Sequence, residues 1–142
     1  MVCLSFQLGS QTSSVVGNKS FFDADWRPQS NLIITASADR HVRLYDPRSK
    51  EGALVKSTFT GHTAWVSCVR WSTLHEHLFI SGGYDKVLRL WDIRSPRATL
   101  YDMEGHMDKI LCCDWSNPEF LVSGGADDSV KMFTVGEKAR GA

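Results

Sequence analysis

A chain of 142 residues, 42% hydrophobic and 23% charged, has the length and composition of a single globular domain with room for a core. Sixteen basic side chains balance sixteen acidic ones, which excludes a net field steering the protein onto nucleic acid or an anionic membrane. No apolar run is long enough for a spanning helix, and the opening Met1-Val2-Cys3-Leu4-Ser5-Phe6 lacks the basic start of a secretory signal, so a soluble intracellular protein is expected.

Taken in chain order, the sequence predicts strands and no helix. Apolar residues alternate or run in short β-branched and aromatic stretches, without a helical period. Segment 7–16 reads as a strand standing apart. Four strands follow at 20–27, 32–38, 41–46 and 53–59. Four more are expected at 65–72, 78–84, 87–92 and 98–103, with a tight Asp85-Lys86 turn between the middle two. Ser95-Pro96-Arg97 breaks the chain before the last of these, which suits an edge strand that forfeits no ladder hydrogen bond. Strands at 109–116, 120–126 and 129–135 complete the series.

These strands belong to one pattern written three times. Gly61-His62, Trp71, Asp85 and Trp91-Asp92 return as Gly105-His106, Trp115, Asp127 and Phe133-Thr134. A fainter copy reads Gly17-Asn18, Trp26, Asp39 and Tyr45-Asp46. Trp26, Trp71 and Trp115 stand 45 and 44 positions apart. A period of about 40–45 residues with Gly-His and Trp-Asp punctuation is the signature of the WD repeat, one four-stranded propeller blade per copy. The expected fold class is therefore all-β, a β-propeller fragment of about three four-stranded antiparallel blades. Residues 1–16 would hold the outer strand of a preceding blade, 17–60 a degenerate first repeat, and 61–104 the second. Residues 105–142 would form a third repeat without its outer strand, and a short tail. Propellers close with about four to eight blades. Three leave the ring open, so the chain reads as the C-terminal portion of a longer propeller or a truncated product of its gene.

Four positions per repeat can share hydrogen bonds. In the second repeat they are His62, Ser81, Asp85 and Trp91: the turn aspartate holds the histidine, which reaches the serine, which accepts from the indole N–H. The third keeps His106, Ser123 and Asp127 but puts Phe133, with no donor, at the indole position. The first keeps Thr35 and Asp39, places Tyr45 at the indole position and has no histidine. Serine, histidine and aspartate are also the members of a hydrolase triad. A trio that returns one period later behaves as a strut and not as an active site, and neither serine lies in a G-x-S-x-G elbow, so no catalytic residue is assigned.

No cofactor and no metal are expected. Gly82-Gly83 and Gly124-Gly125 are not followed by the Lys-Ser/Thr of a phosphate loop, and His75-Glu76-His77 has no second ligand cluster. Cys68 and Cys112, one period apart, read as small buried residues of equivalent strands. Arg40, Arg43, Lys86, Arg89 and Lys131 could line a basic stripe for RNA. Single-stranded RNA would also need exposed stacking platforms, whereas the aromatics are expected in strand cores, so a solvated rim is the preferred reading.

Particular stretches go beyond the generic repeat. Gly17-Asn18-Lys19 with Phe21 stands where Gly-His is expected, and residues 39–48 read DRHVRLYDPR. His62-Thr63 precedes Trp65-Val66, residues 91–95 read WDIRS, and Leu100-Tyr101-Asp102 leads to His106. Residues 108–115 read DKILCCDW and 123–127 read SGGAD. From about residue 13 to 133 the combination resembles the C-terminal blades of the WD-repeat ribosome-biogenesis factors that partner Pescadillo and Block-of-proliferation in the PeBoW complex. That resemblance implies a non-enzymatic scaffold in large-subunit maturation and ribosomal RNA processing, in nucleolus and nucleoplasm. It implies Block-of-proliferation, Pescadillo and pre-ribosomal particles as partners, and no membrane. The family's ubiquitin-like domain, which docks to the ATPase Midasin, is not found in these residues, so Midasin docking is not expected. A rival reading is a substrate receptor of a cullin-type ubiquitin ligase. Trp91, Asp92 and Arg94 fit the W-D-x-R box that such receptors present to their adaptor.

Overall fold

The computed structural model describes residue 9, residues 14–48 and residues 55–136. Eleven strands run in chain order: β1 Phe21–Arg27, β2 Leu32–Ser37, β3 Val42–Tyr45, β4 Val55–Phe59, β5 Val66–Trp71, β6 Leu78–Gly83, β7 Leu88–Asp92, β8 Tyr101–Met103, β9 Ile110–Asp114, β10 Phe120–Gly125 and β11 Val130–Thr134. Each lies within one of the segments predicted from residue 20 onward, trimmed at the ends. The described residues contain no helix, so none is long and apolar enough to cross a membrane. The expected strand at 7–16 falls mostly outside the described residues, and its described end, Ser14 to Val16, is not strand.

The strands form three antiparallel meanders, β1-β2-β3-β4, β5-β6-β7-β8 and β9-β10-β11. Their registers are equivalent. Thr35, Ser81 and Ser123 face Arg43, Arg89 and Lys131 across the second and third strands, and Ile33, Phe79 and Leu121 face Tyr45, Trp91 and Phe133. Every inner strand bulges at the same place, between Phe21 and Asp23, between Val66 and Cys68, and between Ile110 and Cys112. A bulge leaves one residue unpaired and turns its side chain away from the ladder. Here those residues are Phe22, Ser67 and Leu111. The turns between second and third strands also match. Arg40, Lys86 and Asp128 adopt φ of 73°, 71° and 60°, and the preceding aspartates, Asp39, Asp85 and Asp127, accept from the amides of His41, Val87 and Ser129. A left-handed residue without glycine is disfavoured, and the Asx hydrogen bond holds it in place.

The sheets stack face to face through two apolar layers. Leu32, Ile34, Val42, Leu44 and Phe59 of the first blade pack on Val66, Val69, Trp71, Phe79 and Trp91 of the second. The opposite face of the second blade, with Leu78, Ile80, Leu88 and Leu90, packs on Ile110, Cys113, Trp115 and Leu121 of the third. Polar ties fix the angle of the first pair. Asp25 accepts from the Trp71 amide at 2.8 Å, Asp23 from the Val69 amide at 3.1 Å, and Arg27 donates to the His75 carbonyl at 2.7 Å.

Among the described residues, no strand covers the two outer faces of the stack. Trp26 is 58% exposed, whereas its equivalents Trp71 and Trp115 are 5% and 1% exposed beneath the preceding blade. Val130 and Met132 are 73% and 65% exposed, whereas Val42, Leu88, Leu44 and Leu90, at the same positions, are at most 2% exposed. The expectation that Cys112 is buried like Cys68 is therefore corrected. Cys68 lies beneath the third blade, but Cys112 occupies the same place on the uncovered face and is exposed.

Candidate functional site

In the second blade, His62 Nδ1 lies 2.9 Å from Asp85 Oδ2 and Nε2 lies 2.7 Å from Ser81 Oγ, while Trp91 Nε1–H donates to that same Oγ at 2.8 Å. An ionised aspartate only accepts, so Nδ1 is the donor, and the serine O–H then donates to Nε2. Every polar atom of the set has a partner. In the third blade His106 Nδ1 is 3.0 Å from Asp127 Oδ2 and Nε2 is 2.8 Å from Ser123 Oγ, and the Ser129 hydroxyl donates to Asp127 at 2.7 Å. Phe133 leaves Ser123 without an indole donor. The first blade does not bring Thr35, Asp39 and Tyr45 together. Thr35 Oγ1 has no hydrogen-bond partner among the described residues, so Tyr45 donates nothing to it, and Asp39 is taken by Arg43.

The second glycine of each pair makes room for the histidine and aspartate, a close approach near the turn that the sequence suggested without showing which side chains make it. A Cβ on Gly83 would lie 3.0 Å from His62 Nδ1 and 3.0 Å from Asp85 Oδ1, and one on Gly125 would lie 2.6 Å from His106 Nδ1 and 2.7 Å from Asp127 Oδ1. The His–Asp pair sits directly against a bare backbone. In the first blade the equivalent residue is Ser37, whose Oγ accepts from the Asp39 amide at 3.4 Å, and Asn18 stands where the histidine would be. The signal available in the sequence was the shared offset, Ser81-Gly82-Gly83 and Ser123-Gly124-Gly125 against Thr35-Ala36-Ser37.

Chemically, these sets are supports. Ser81 and Ser123 are wholly buried, and each Oγ is already engaged by histidine, so no substrate carbonyl reaches them. Among the described residues no three metal-ligating side chains converge. Trp91 is buried against Phe59 and Phe79, and the half-exposed Arg94 is paired with Asp92 at 2.6 Å, so the W-D-x-R box presents neither a free indole nor a free guanidinium. The expectation that the aromatics sit in strand cores needs correction. Phe22 and Trp65 are large exposed rings on one surface, with Tyr84 between them and the turn.

Burial alone would raise the Asp85 carboxyl, but the hydrogen bond from His62 and those from the Thr63 and Val87 amides outweigh it and hold it below the usual range. For Asp127 the Ser129 hydroxyl leads, followed by the Met107 amide, and the carboxyl is held well below that range. Depressed folded-state values mean stabilisation that is present above the unfolded value of about 3.9 and lost as pH falls through the folded values. Thermal melts followed by circular dichroism should show stability declining below about pH 4. Asp85→Asn combined with Asp127→Asn should be less stable at neutral pH and show a shallower acid dependence. An unchanged acid slope in that variant would remove the pairs as its cause.

The sequence pattern of the WD domain, G-beta repeat family matches residues 9–46, 54–92 and 96–134. Each full match begins one strand before its sheet: 54–92 spans β4 to β7 and 96–134 spans β8 to β11, whereas the sheets run β5 to β8 and from β9. A repeat thus lends its first strand to the preceding blade, and the third sheet has three strands among the described residues. Among similar proteins, the "Ribosome biogenesis protein WDR12 homolog" of Culex quinquefasciatus is 57% identical over 121 residues, covering 85% of this chain and 28% of its own length. That of Anopheles gambiae is 52% identical over 126 residues, covering 89% and 29%. That of Drosophila simulans is 57% identical over 116 residues, covering 82% and 28%. The chain therefore spans under a third of the length of these relatives. With the repeat matched three times and three registers superposable strand by strand, this chain belongs to the WD domain, G-beta repeat family.

Proposed function

We propose that this chain serves ribosome biogenesis as a non-enzymatic interaction module, a rigid set of propeller blades that holds loops for partner docking in large-subunit maturation and ribosomal RNA processing. The observation that carries this reading is 57% identity to a ribosome biogenesis protein over 121 residues, 85% of this chain. The physical mechanism is surface presentation. Buried His–Ser–Asp sets lock the turns to the inner strands, so the loops between them are held in fixed positions on the scaffold. Ser81 and Ser123 are buried and bonded to histidine, so neither is placed to attack a substrate. The partners that suit this reading are proteins of the Pescadillo and Block-of-proliferation families on pre-ribosomal particles, in the nucleus and nucleolus.

Affinity purification of the tagged protein, with sucrose-gradient sedimentation and mass spectrometry, tests it. Co-sedimentation with large-subunit precursors and recovery of the two partner families is the expected result. Recovery of a cullin and its adaptor, without pre-ribosomal proteins, would overturn it.

A further inference from the structure

The exposed rings that the strand pattern hides make one continuous patch. Phe22 is turned outward by the bulge in β1, Trp65 precedes β5, and Tyr84 follows β6. Their centroids are 5.3 Å apart for Phe22–Trp65 and Trp65–Tyr84 and 6.4 Å for Phe22–Tyr84, with interplanar angles of 34°, 34° and 17°. Phe22 and Trp65 are 42% and 47% exposed, far more than a ring in the blade interfaces.

Cations surround the patch. Lys109 Nζ stands over the Tyr84 ring at 5.0 Å, which holds the ammonium at the edge of the patch. A hollow on one side of Trp65 is lined by Lys19, Phe22 and Ala38, and one on the other side by Arg40, Thr63 and Tyr84. Neither hollow is lined by a carboxylate. Among the described residues Lys19, Arg40 and Lys109 have no ion-pair partner. The nearby turn carboxylates are already occupied, Asp85 by His62 and Arg89, and Asp127 by His106. Asp108, next to Lys109, and Asp128, at the turn position equivalent to Arg40, are acidic side chains on this edge that stay in solvent.

We propose that this patch binds single-stranded RNA, with bases stacked on Trp65 and Phe22 and the sugar–phosphate backbone crossing Lys19, Arg40 and Lys109. The chemistry fits a single strand better than a duplex, because unstacked bases offer their faces to aromatic rings whereas paired bases do not. The chain has no net charge, so affinity comes from stacking more than from a long-range field, and sequence preference is weak. Three cations on a single strand release counterions with a slope of about 0.7 each, giving a salt dependence of about −2 in log K against log salt. The patch carries this reading whether or not the protein acts in ribosome assembly, although unpaired ribosomal RNA would suit both.

Fluorescence anisotropy tests it, using the whole chain and a labelled ten-nucleotide oligouridine, with a duplex RNA of equal length as comparison. Single strand is expected to bind at least tenfold more tightly than duplex, and to quench tryptophan emission. Trp65→Ala should weaken binding by roughly 5- to 100-fold with the melting temperature nearly unchanged, because the ring is half exposed, and Trp65→Phe should restore most of it. Arg40→Gln with Lys109→Gln should cut the salt slope to about −0.7. Equal binding by wild type and Trp65→Ala, or no binding at low salt, would overturn the assignment. Loss of pre-ribosome association alone would leave these readouts untouched, so the two readings fail separately.

Discussion

Trp91→Ala is expected to lower the free energy of unfolding by about 3–5 kcal/mol, measured by urea denaturation followed by far-UV circular dichroism. The indole has no exposed surface, lies edge-on to Phe59 at 5.6 Å, stacks near Phe79 at 6.2 Å, and covers Gly61, where an added Cβ would come within 3.0 Å of the ring. Removing it opens a cavity between the first and second blades and takes the donor from Ser81. Trp91→Phe separates the two contributions. It turns the second blade into a copy of the third, where Phe133 serves without an N–H, so the cost should fall to about 1 kcal/mol, the net worth of one buried hydrogen bond, plus a small packing loss. If Trp91→Ala costs under about 1 kcal/mol, the indole is not part of a packed interface.

The second large effect concerns the open ends of the stack. The face of the third blade carrying Val130 and Met132 has the residue types that are covered in the other two blades, and the face of the first blade carrying Trp26 is the complementary half of the same interface. Uncovered apolar sheet faces and unpaired edges associate. Sedimentation of the purified chain should therefore show concentration-dependent, head-to-tail self-association, which is open-ended unless the ring closes. Val130→Glu with Met132→Glu should shift that association at least tenfold toward monomer and leave the melting temperature nearly unchanged, since both side chains are already in solvent. Leu88→Glu, at the equivalent but wholly buried position, should instead unfold the chain. A monomer at every concentration, melting cooperatively, would contradict this account of the two faces.

The blades were legible in the sequence because their pattern is local. Alternation around Trp71 and Leu90, turn aspartates at fixed offsets and a Pro96 break each mark a strand boundary without reference to a distant residue. What escaped was set by contacts across blades. Cys68 and Cys112 look alike in sequence and differ in exposure only because a blade lies over one and none over the other. Phe22 reads as a core aromatic until the bulge in β1 shifts the alternation by one residue and turns it outward. Thr35 and Asp39 sit at the offsets of a hydrogen-bonded set, but the set needs a histidine and a side-chain-free neighbour, and the first blade has Ser37 there. The offset between sequence repeat and sheet is likewise invisible in the period, which is the same whichever strand is counted first.

Everything rests on three interchangeable sheets, one of which shows the face that its siblings hide. Cysteine alkylation with peptide mapping reads this most directly, since Cys68 and Cys112 are equivalent thiols on covered and uncovered faces. Cys113 is a further internal control, its thiol pushed up by hydrogen bonding to Cys68 and by burial. In dilute native protein Cys112 should label rapidly while Cys68 and Cys113 label only on unfolding, and Cys112 should become protected as concentration rises and copies stack. Equal labelling of Cys68 and Cys112 in the native chain would contradict the arrangement.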